Sequence, residues 1–211
     1  MVGVSESKTP FVLFCDSSNV IKPNFLELSL PHFDDNLVSA CFGRIMNHES
    51  LDDTLSKWRA VHLFQQNDYH KSEPHTVNCL ITYAVLLRKE HIIKVGNFDP
   101  NLKQCEDQDM GEKLLDNNYK LISEPKLITY SLRKESLKSL YMRYLRWNSH
   151  YKHPRKIITQ FFITSKSSFL IFARKDLRNR DFVCMTISIL LPFVLLLNDL
   201  FSKCRQLYEN E

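Results

Sequence analysis

From Phe182 to Leu197 the chain runs sixteen residues, FVCMTISILLPFVLLL, without a charge. A stretch of this kind must be hidden from water, in a membrane or inside a packed helical unit. About 20 residues are needed to cross the hydrocarbon of a bilayer as a helix. The run is slightly short of that, contains Pro192, and is followed by Asn198 and Asp199. Extending it to Phe201 places Asp199 near one interface. Lys175, Arg178 and Arg180 flank one end, and Lys203 and Arg205 the other. Ile157 to Phe172 is also rich in Phe and Ile, with a basic edge. The expectation is a helical segment over 154–211 that inserts into or lies on a membrane. The competing reading is a buried helix or an oligomer contact.

The rest of the 211 residues has a different character. Overall, 44% hydrophobic and 25% charged residues make a globular balance and exclude a disordered chain. The net charge of +4 gives no ground for a nucleic-acid partner, and none is expected. Only four glycines are present, and no G-x-G-x-x-G or Walker A loop exists. The six cysteines include no C-x-x-C pair, so zinc has no support. Reduced thiols and the absence of an apolar leader in MVGVSESKTP suggest a cytoplasmic setting.

Alternating signals run along residues 9–151. FVLFC (Phe11 to Cys15) reads as a buried strand ending in the polar cluster DSSN. LVSACFGRIM reads as a second strand, Thr54 to Gln66 as a helix, and Asn78 to Lys89 as a long β-like run. Glu106 to Asn118 is predicted as a helix with acids in its first turn, where the macrodipole favours them. Lys120 to Arg133 predicts two short strands broken by Pro125, and Glu135 to Tyr151 a clear amphipathic helix. This order predicts a mixed α/β sheet, with ligands collecting at the carboxyl ends of strands.

Three groups of residues fall at chemically useful places. Asp16 follows the first strand directly, where a carboxylate can hold a divalent cation on a phosphate; a plain turn is the simpler reading. In Glu106-Asp107-Gln108-Asp109, Asp107 shares a helical face with Met110, Gly111 and Leu114, so it sits on the stripe that otherwise faces the core. A carboxylate there is costly unless bonded or used, and it suits a general base; capping is the alternative. Arg143, Arg146, Trp147 and His150 share a face away from the leucine stripe. Two guanidiniums and an indole suit a diphosphate and a sugar ring, or else form a basic face near anionic lipid.

Taken in order, these segments resemble the family 2 glycosyltransferases, the inverting GT-A enzymes. FVLFCDSSNVIKPNFLE is similar to the strand ending in that family's D-x-D element. LLRKEHIIKVGNFDPNLKQCEDQDMGEKLLDNNYKLISEP is similar to its acceptor-side block, and Arg143 to Trp147 matches (Q/R)-x-x-R-W. The resemblance covers about Thr9 to Tyr151. It implies a partial GT-A, Rossmann-like mixed sheet with flanking helices over 1–153, followed by the apolar helical segment over 154–211. It further implies transfer from a nucleotide-sugar donor to a hydroxyl of a saccharide or lipid-linked acceptor, on the cytoplasmic side of a membrane. Asp107 would be the base. Asp16, with Ser18 where a second acid usually stands, would hold the donor diphosphate through Mg2+ or Mn2+. Glu106, Asp109, Arg143, Arg146 and Trp147 would bind acceptor or diphosphate. The family's nucleotide-gripping first half has no counterpart here, which leaves three expectations: a second chain supplies it, the chain is a truncated or split product, or it does not bind the donor. An inactive membrane-associated subunit is the other reading.

Overall fold

The computed structural model describes residues 2–66, 72–102, 105–148 and 157–208, with backbone alone at 2, 145–148, 202 and 204–208. Packing groups these residues into two compact units, 1–51 with 64–133 and 52–63 with 134–211. Residues 134–148 therefore group with the C-terminal helices rather than with the sheet.

The first unit is a mixed sheet. Its strands are β1 (Phe11–Cys15), β2 (Asn19–Ile21), β3 (Val38–Asn47), β4 (His75–Val77), β5 (Ala84–Arg88) and β6 (Lys120–Ser131). Its helices are α1 (Val2–Glu6), α2 (Phe25–Ser29), α4 (Lys89–Lys94) and α5 (Glu106–Asp116); α3 (Thr54–His62) belongs to the second unit. The strand order is β1-β5-β3-β6-β2, with β4 beside β6. Among the described residues β3 and β6 run parallel and the other pairs antiparallel. β1 lies antiparallel to β5, from Phe11 opposite Arg88 to Cys15 opposite Ala84.

Alternation along the strands builds a core on each face. Val85 and Leu87 of β5, with Ala40 and Phe42 of β3, point toward α4 and α5 and meet Ile92, Met110 and Leu114. Ala84, Leu86, Val38 and Cys41 point the other way, onto Phe25 and Phe33. α2 ends at Ser29, and the chain continues as a 3-10 turn from Leu30 to Asp34, which places Pro31 near the start of that turn.

β6 differs from expectation. Pro125 does not divide it: the strand is continuous, and its register to β3 jumps between Phe42–Ser123 and Arg44–Ile128. Residues 124–127 form a bulge, which relieves Pro125 of a ladder hydrogen bond it could not donate. On its other edge β6 pairs with β4 before the bulge and β2 after it. Gly43 makes the bulge possible. A Cβ there would lie 2.0 Å from the Leu127 carbonyl oxygen and 2.4 Å from its Cβ, so no larger residue fits.

The second unit is helical. It contains α3, α6 (Leu137–Asn148), α7 (Ile157–Ser167), a π-helical turn over Ser168–Ala173, α8 (Arg174–Arg178) and α9 (Phe182–Tyr208). α9 carries the charge-free run. Phe182–Phe201, 20 residues with mean hydropathy 2.1, is long and apolar enough to cross a membrane, and one third of it is buried in the fold. Trp58, Leu140, Tyr144, Cys184, Ile187, Leu191 and Leu195 form the core of this unit. A buried polar chain crosses that core: Trp58 Nε1 donates to Ser188 Oγ at 2.8 Å, and Ser188 Oγ donates to Asp176 Oδ2 at 2.6 Å. Asp176 Oδ1 lies 2.6 Å from His62 Nε2. His62 is thus a packed, paired side chain, as a lone histidine on a helix usually is.

Candidate active site

The turn after β1 is fixed by one carbonyl. Tyr83 O, just before β5, accepts from Asp16 N and from Asn19 Nδ2, each at 3.0 Å. Asn19 N closes the turn on Asp16 O at 2.9 Å. Asp16 and Ser18 are therefore held by a turn whose residues were chosen for turn geometry and whose position is set by the sheet. Ser18 carries the next link, since its carbonyl accepts from Leu132 N at 2.8 Å. The turn and site readings of DSSN are compatible: the backbone makes the turn, and the Asp16 side chain is exposed at its tip.

α5 comes to the same place from another part of the chain. It begins after Cys105, which has the left-handed φ of 62°. Its stripe buries Met110, Gly111 and Leu114 as the periodicity predicts. At Gly111 the helix rides close on the segment before β5: an added Cβ would lie 3.0 Å from the Leu80 nitrogen. This close approach seats the helix and brings its first turn to the end of β1. A cavity of about 160 Å3 results, lined by Phe14, Cys15, Asp16, Thr82, Phe98 and Glu106. Phe14 and Phe98 form its apolar wall, with ring centroids 5.5 Å apart.

Asp107 stands half-buried beside this cavity, its Oδ1 accepting from Gln108 N at 2.8 Å. Its carboxyl titrates above the ordinary aspartate range. Burial is the main cause, and the charges of Glu106 and Asp16 add to it against backbone hydrogen bonds that act the other way. The field of Asp107 in turn helps burial raise the Cys79 thiol. Asp107 and Asp16 are thus within each other's electrostatic reach, though ninety residues separate them in sequence. Asp109 faces elsewhere, with Oδ2 2.7 Å from Lys113 Nζ.

Arg143 lies on α6 in the helical unit. Its Nε donates to Glu135 Oε1 at 3.1 Å, and Arg59 Nη1 donates to the same oxygen at 2.8 Å. Arg146 and Trp147 lie on the described backbone of α6, but their side chains, with His150, fall outside the described residues. The sequence pointed to Asp16, Glu106 and Asp107, and the fold brings them together. It gave no sign of Phe14, Thr82, Arg59 or Glu135. Phe98 had a signal, the G-N-F-D run resembling V-G-G-F-D.

Among the described residues no three His, Cys, Asp or Glu side chains cluster as a metal cage. Mg2+ commonly needs no such cage, since one or two carboxylates and substrate phosphates complete its shell. Asp16, exposed at the cavity, is a donor of that kind.

The chain belongs to glycosyl transferase family 21, whose model matches residues 1–204. The GT-A glycosyltransferase reading stands, with family 21 in place of the family 2 named from the motifs. The pre-mycofactocin glycosyltransferases of two Mycobacterium tuberculosis strains, CDC 1551 and H37Rv, are each 29% identical over 126 residues, 58% of this chain and 27% of theirs. The chain thus spans about a quarter of the length of these curated relatives. Among solved structures, GalNAc-T7 with UDP, GalNAc and Mn2+ aligns over 79% of this chain and 36% of that one, at 17% identity and a TM-score of 0.46.

Proposed function

We propose that this chain carries the acceptor-side chemistry of an inverting transfer from a nucleotide-sugar to a hydroxyl of a saccharide or lipid-linked acceptor. The observation that carries this reading is the convergence of Asp16 and Glu106 on one cavity, with Asp107 within electrostatic reach of both. Asp107 takes the proton of the incoming hydroxyl, and its raised affinity for protons makes it a stronger base than a surface aspartate. Glu106, on the cavity wall, is the acidic neighbour that orients acceptor hydroxyls, whereas Asp109, expected to share that role, is engaged by Lys113. Phe14 and Phe98 offer an apolar wall for a sugar face. Asp16, with the Ser18 hydroxyl, is the place for Mg2+ or Mn2+ on the donor. When bound, that cation neutralises charge on the departing diphosphate. Arg143, Arg146 and Trp147 bind the diphosphate or the saccharide. The glycosyltransferase-like part is 1–153 and the helical part 154–211. The test is cation-dependent release of nucleoside diphosphate from a panel of nucleotide-sugars, with the chain in lipid vesicles. Release is expected to rise with acceptor, and its absence across the panel overturns the reading.

The same proposal places the chain on the cytoplasmic face of a membrane. Ile158, Phe162, Phe182 and Phe201 are each 61–72% exposed on the helices of the second unit, more apolar surface than water tolerates in a folded monomer. Lys166, Arg174, Arg178 and Lys203 lie exposed along the helices of this unit and suit anionic headgroups. The chain is expected to float with vesicles containing anionic lipid. Replacing Ile158, Phe162 and Phe201 together by Asp should lower the floated fraction severalfold. Wild-type chain that stays monodisperse in detergent-free buffer and sediments apart from vesicles overturns this placement.

A further inference from the structure

We infer that Glu135 is a positioning residue for Arg143, holding its guanidinium in place to meet a diphosphate. This rests on the donor-side role given to Arg143 above and adds a residue to it. Glu135 precedes α6, and both its carboxylate and the Arg59 side chain are fully buried. Three donors surround that carboxylate: Arg59 Nη1 and Arg143 Nε on Oε1, and Ser139 Oγ on Oε2. The helix start fixes the carboxylate in turn. Ser139 N donates to Ser136 Oγ at 3.1 Å and Ser136 N to Ser139 Oγ at 2.8 Å, a reciprocal cap that locks the first turn of α6. Burial raises the Glu135 proton affinity, but the Ser139 hydrogen bond and the two guanidiniums outweigh it, so the group stays ionised. Arg143 lies two helical turns along from Glu135, and its side chain is 16% exposed. Its Nε edge is spent on Glu135, and the exposed part is what an anion arriving from solvent can reach. A long side chain otherwise pays rotamer entropy when it grips a ligand; here the Nε contact has already fixed its direction.

The sign of the effect separates positioning from simple charge. Glu135→Gln makes the neighbourhood more positive, so if only charge mattered an anion would bind more tightly. Positioning requires the reverse. The probe is inorganic pyrophosphate with Mg2+, titrated by calorimetry into the full chain in detergent micelles. Its affinity is expected to fall about tenfold in Glu135→Gln, the loss of one charge-assisted contact geometry. Glu135→Asp, which keeps the charge and shortens the reach, should fall similarly and carries the test if Glu135→Gln fails to fold. In an Arg143→Ala background neither change should matter further. Without ligand, the Arg143 Nε–H resonance should be sharp in wild type and broadened in both variants. Unchanged or tighter binding in the Glu135 variants, or an equal loss in the Arg143→Ala background, overturns the inference. Failure of the wild-type chain to bind pyrophosphate while the resonance stays sharp is a different result: it overturns the donor-side reading of Arg143, and the inference with it.

Discussion

Asp107→Asn is expected to lower nucleoside diphosphate release by about 10²–10⁴-fold, the range a positioned general base contributes. The fold should survive, because the amide is isosteric and can still accept from Gln108 N. The pH profile should show an acid limb displaced above the ordinary aspartate range, with activity lost as pH falls through it, since only the ionised form accepts a proton. Stability moves in the opposite sense. Because the folded state raises the proton affinity of Asp107, the protonated form favours folding. That contribution is complete below the unfolded-state pKa and disappears as pH rises through the higher folded-state value. At neutral pH the ionised side chain is therefore a cost, which Asp107→Asn removes. The variant should melt no lower than wild type at pH 7, and the gap should close on acidification. Glu106 and Asp16 face Asp107 and contribute to the same limb. A further readout is Cys79, whose thiol Asp107 helps to raise; its alkylation should quicken in the variant. Full activity in Asp107→Asn would remove the base assignment, and a melting temperature well below wild type would show that the carboxylate was structural.

The parts of this arrangement readable from sequence are those set by local pattern. FVLFC is a strand with the expected bounds because an apolar run meets a polar turn within five residues. α5 begins at Glu106 and buries Met110, Gly111 and Leu114 because its 3.6-residue stripe is unambiguous. Where distant partners decide, the pattern misleads. The β-like run from Asn78 to Lys89 is a strand only over Ala84–Arg88. Leu80 is drawn under Gly111 of α5, and Tyr83 turns its carbonyl to the Asp16 turn. Pro125 looked like a break because the compensating glycine, Gly43, lies on another strand. The macrodipole argument placed acids correctly in the first turn of α5, yet burial dominates the titration of Asp107, and burial is a property of the whole unit. The cavity wall of Phe14 and Phe98 and the Arg59–Glu135–Arg143 cluster have no periodicity, since each joins residues far apart in the chain. The two carboxylate regions could be named in advance, whereas their meeting could only be seen in the fold.

Trp58→Ala should have the largest effect on stability. Trp58 is fully buried at the centre of the helical unit, against Leu140 and Tyr144 of α6 and Cys184, Ile187 and Leu191 of α9. Its ring stands edge-on to Phe172, with centroids 5.7 Å apart, and lies 4.9 Å from the His62 ring. Truncating a buried tryptophan costs about 3–5 kcal/mol in transfer and cavity terms. Against a typical total of about 5–15 kcal/mol, that is enough to make this unit the first to unfold. Trp58→Phe separates the two contributions. It keeps most of the ring packing and loses the indole hydrogen bond to Ser188 Oγ, which still donates to Asp176. Its expected cost is about 1–2 kcal/mol, mainly one hydrogen bond and a small void. The measurement is urea unfolding in micelles, followed by far-UV circular dichroism, with midpoints in the order wild type, Trp58→Phe, Trp58→Ala. Leu140 and Tyr144 also hold the helix that carries Arg143, so Trp58→Ala should weaken pyrophosphate binding below its melting point, whereas Trp58→Phe should not. Coincident midpoints for wild type and Trp58→Ala would mean that α3 is not wedged into this unit, and the packing described for it would have to be abandoned.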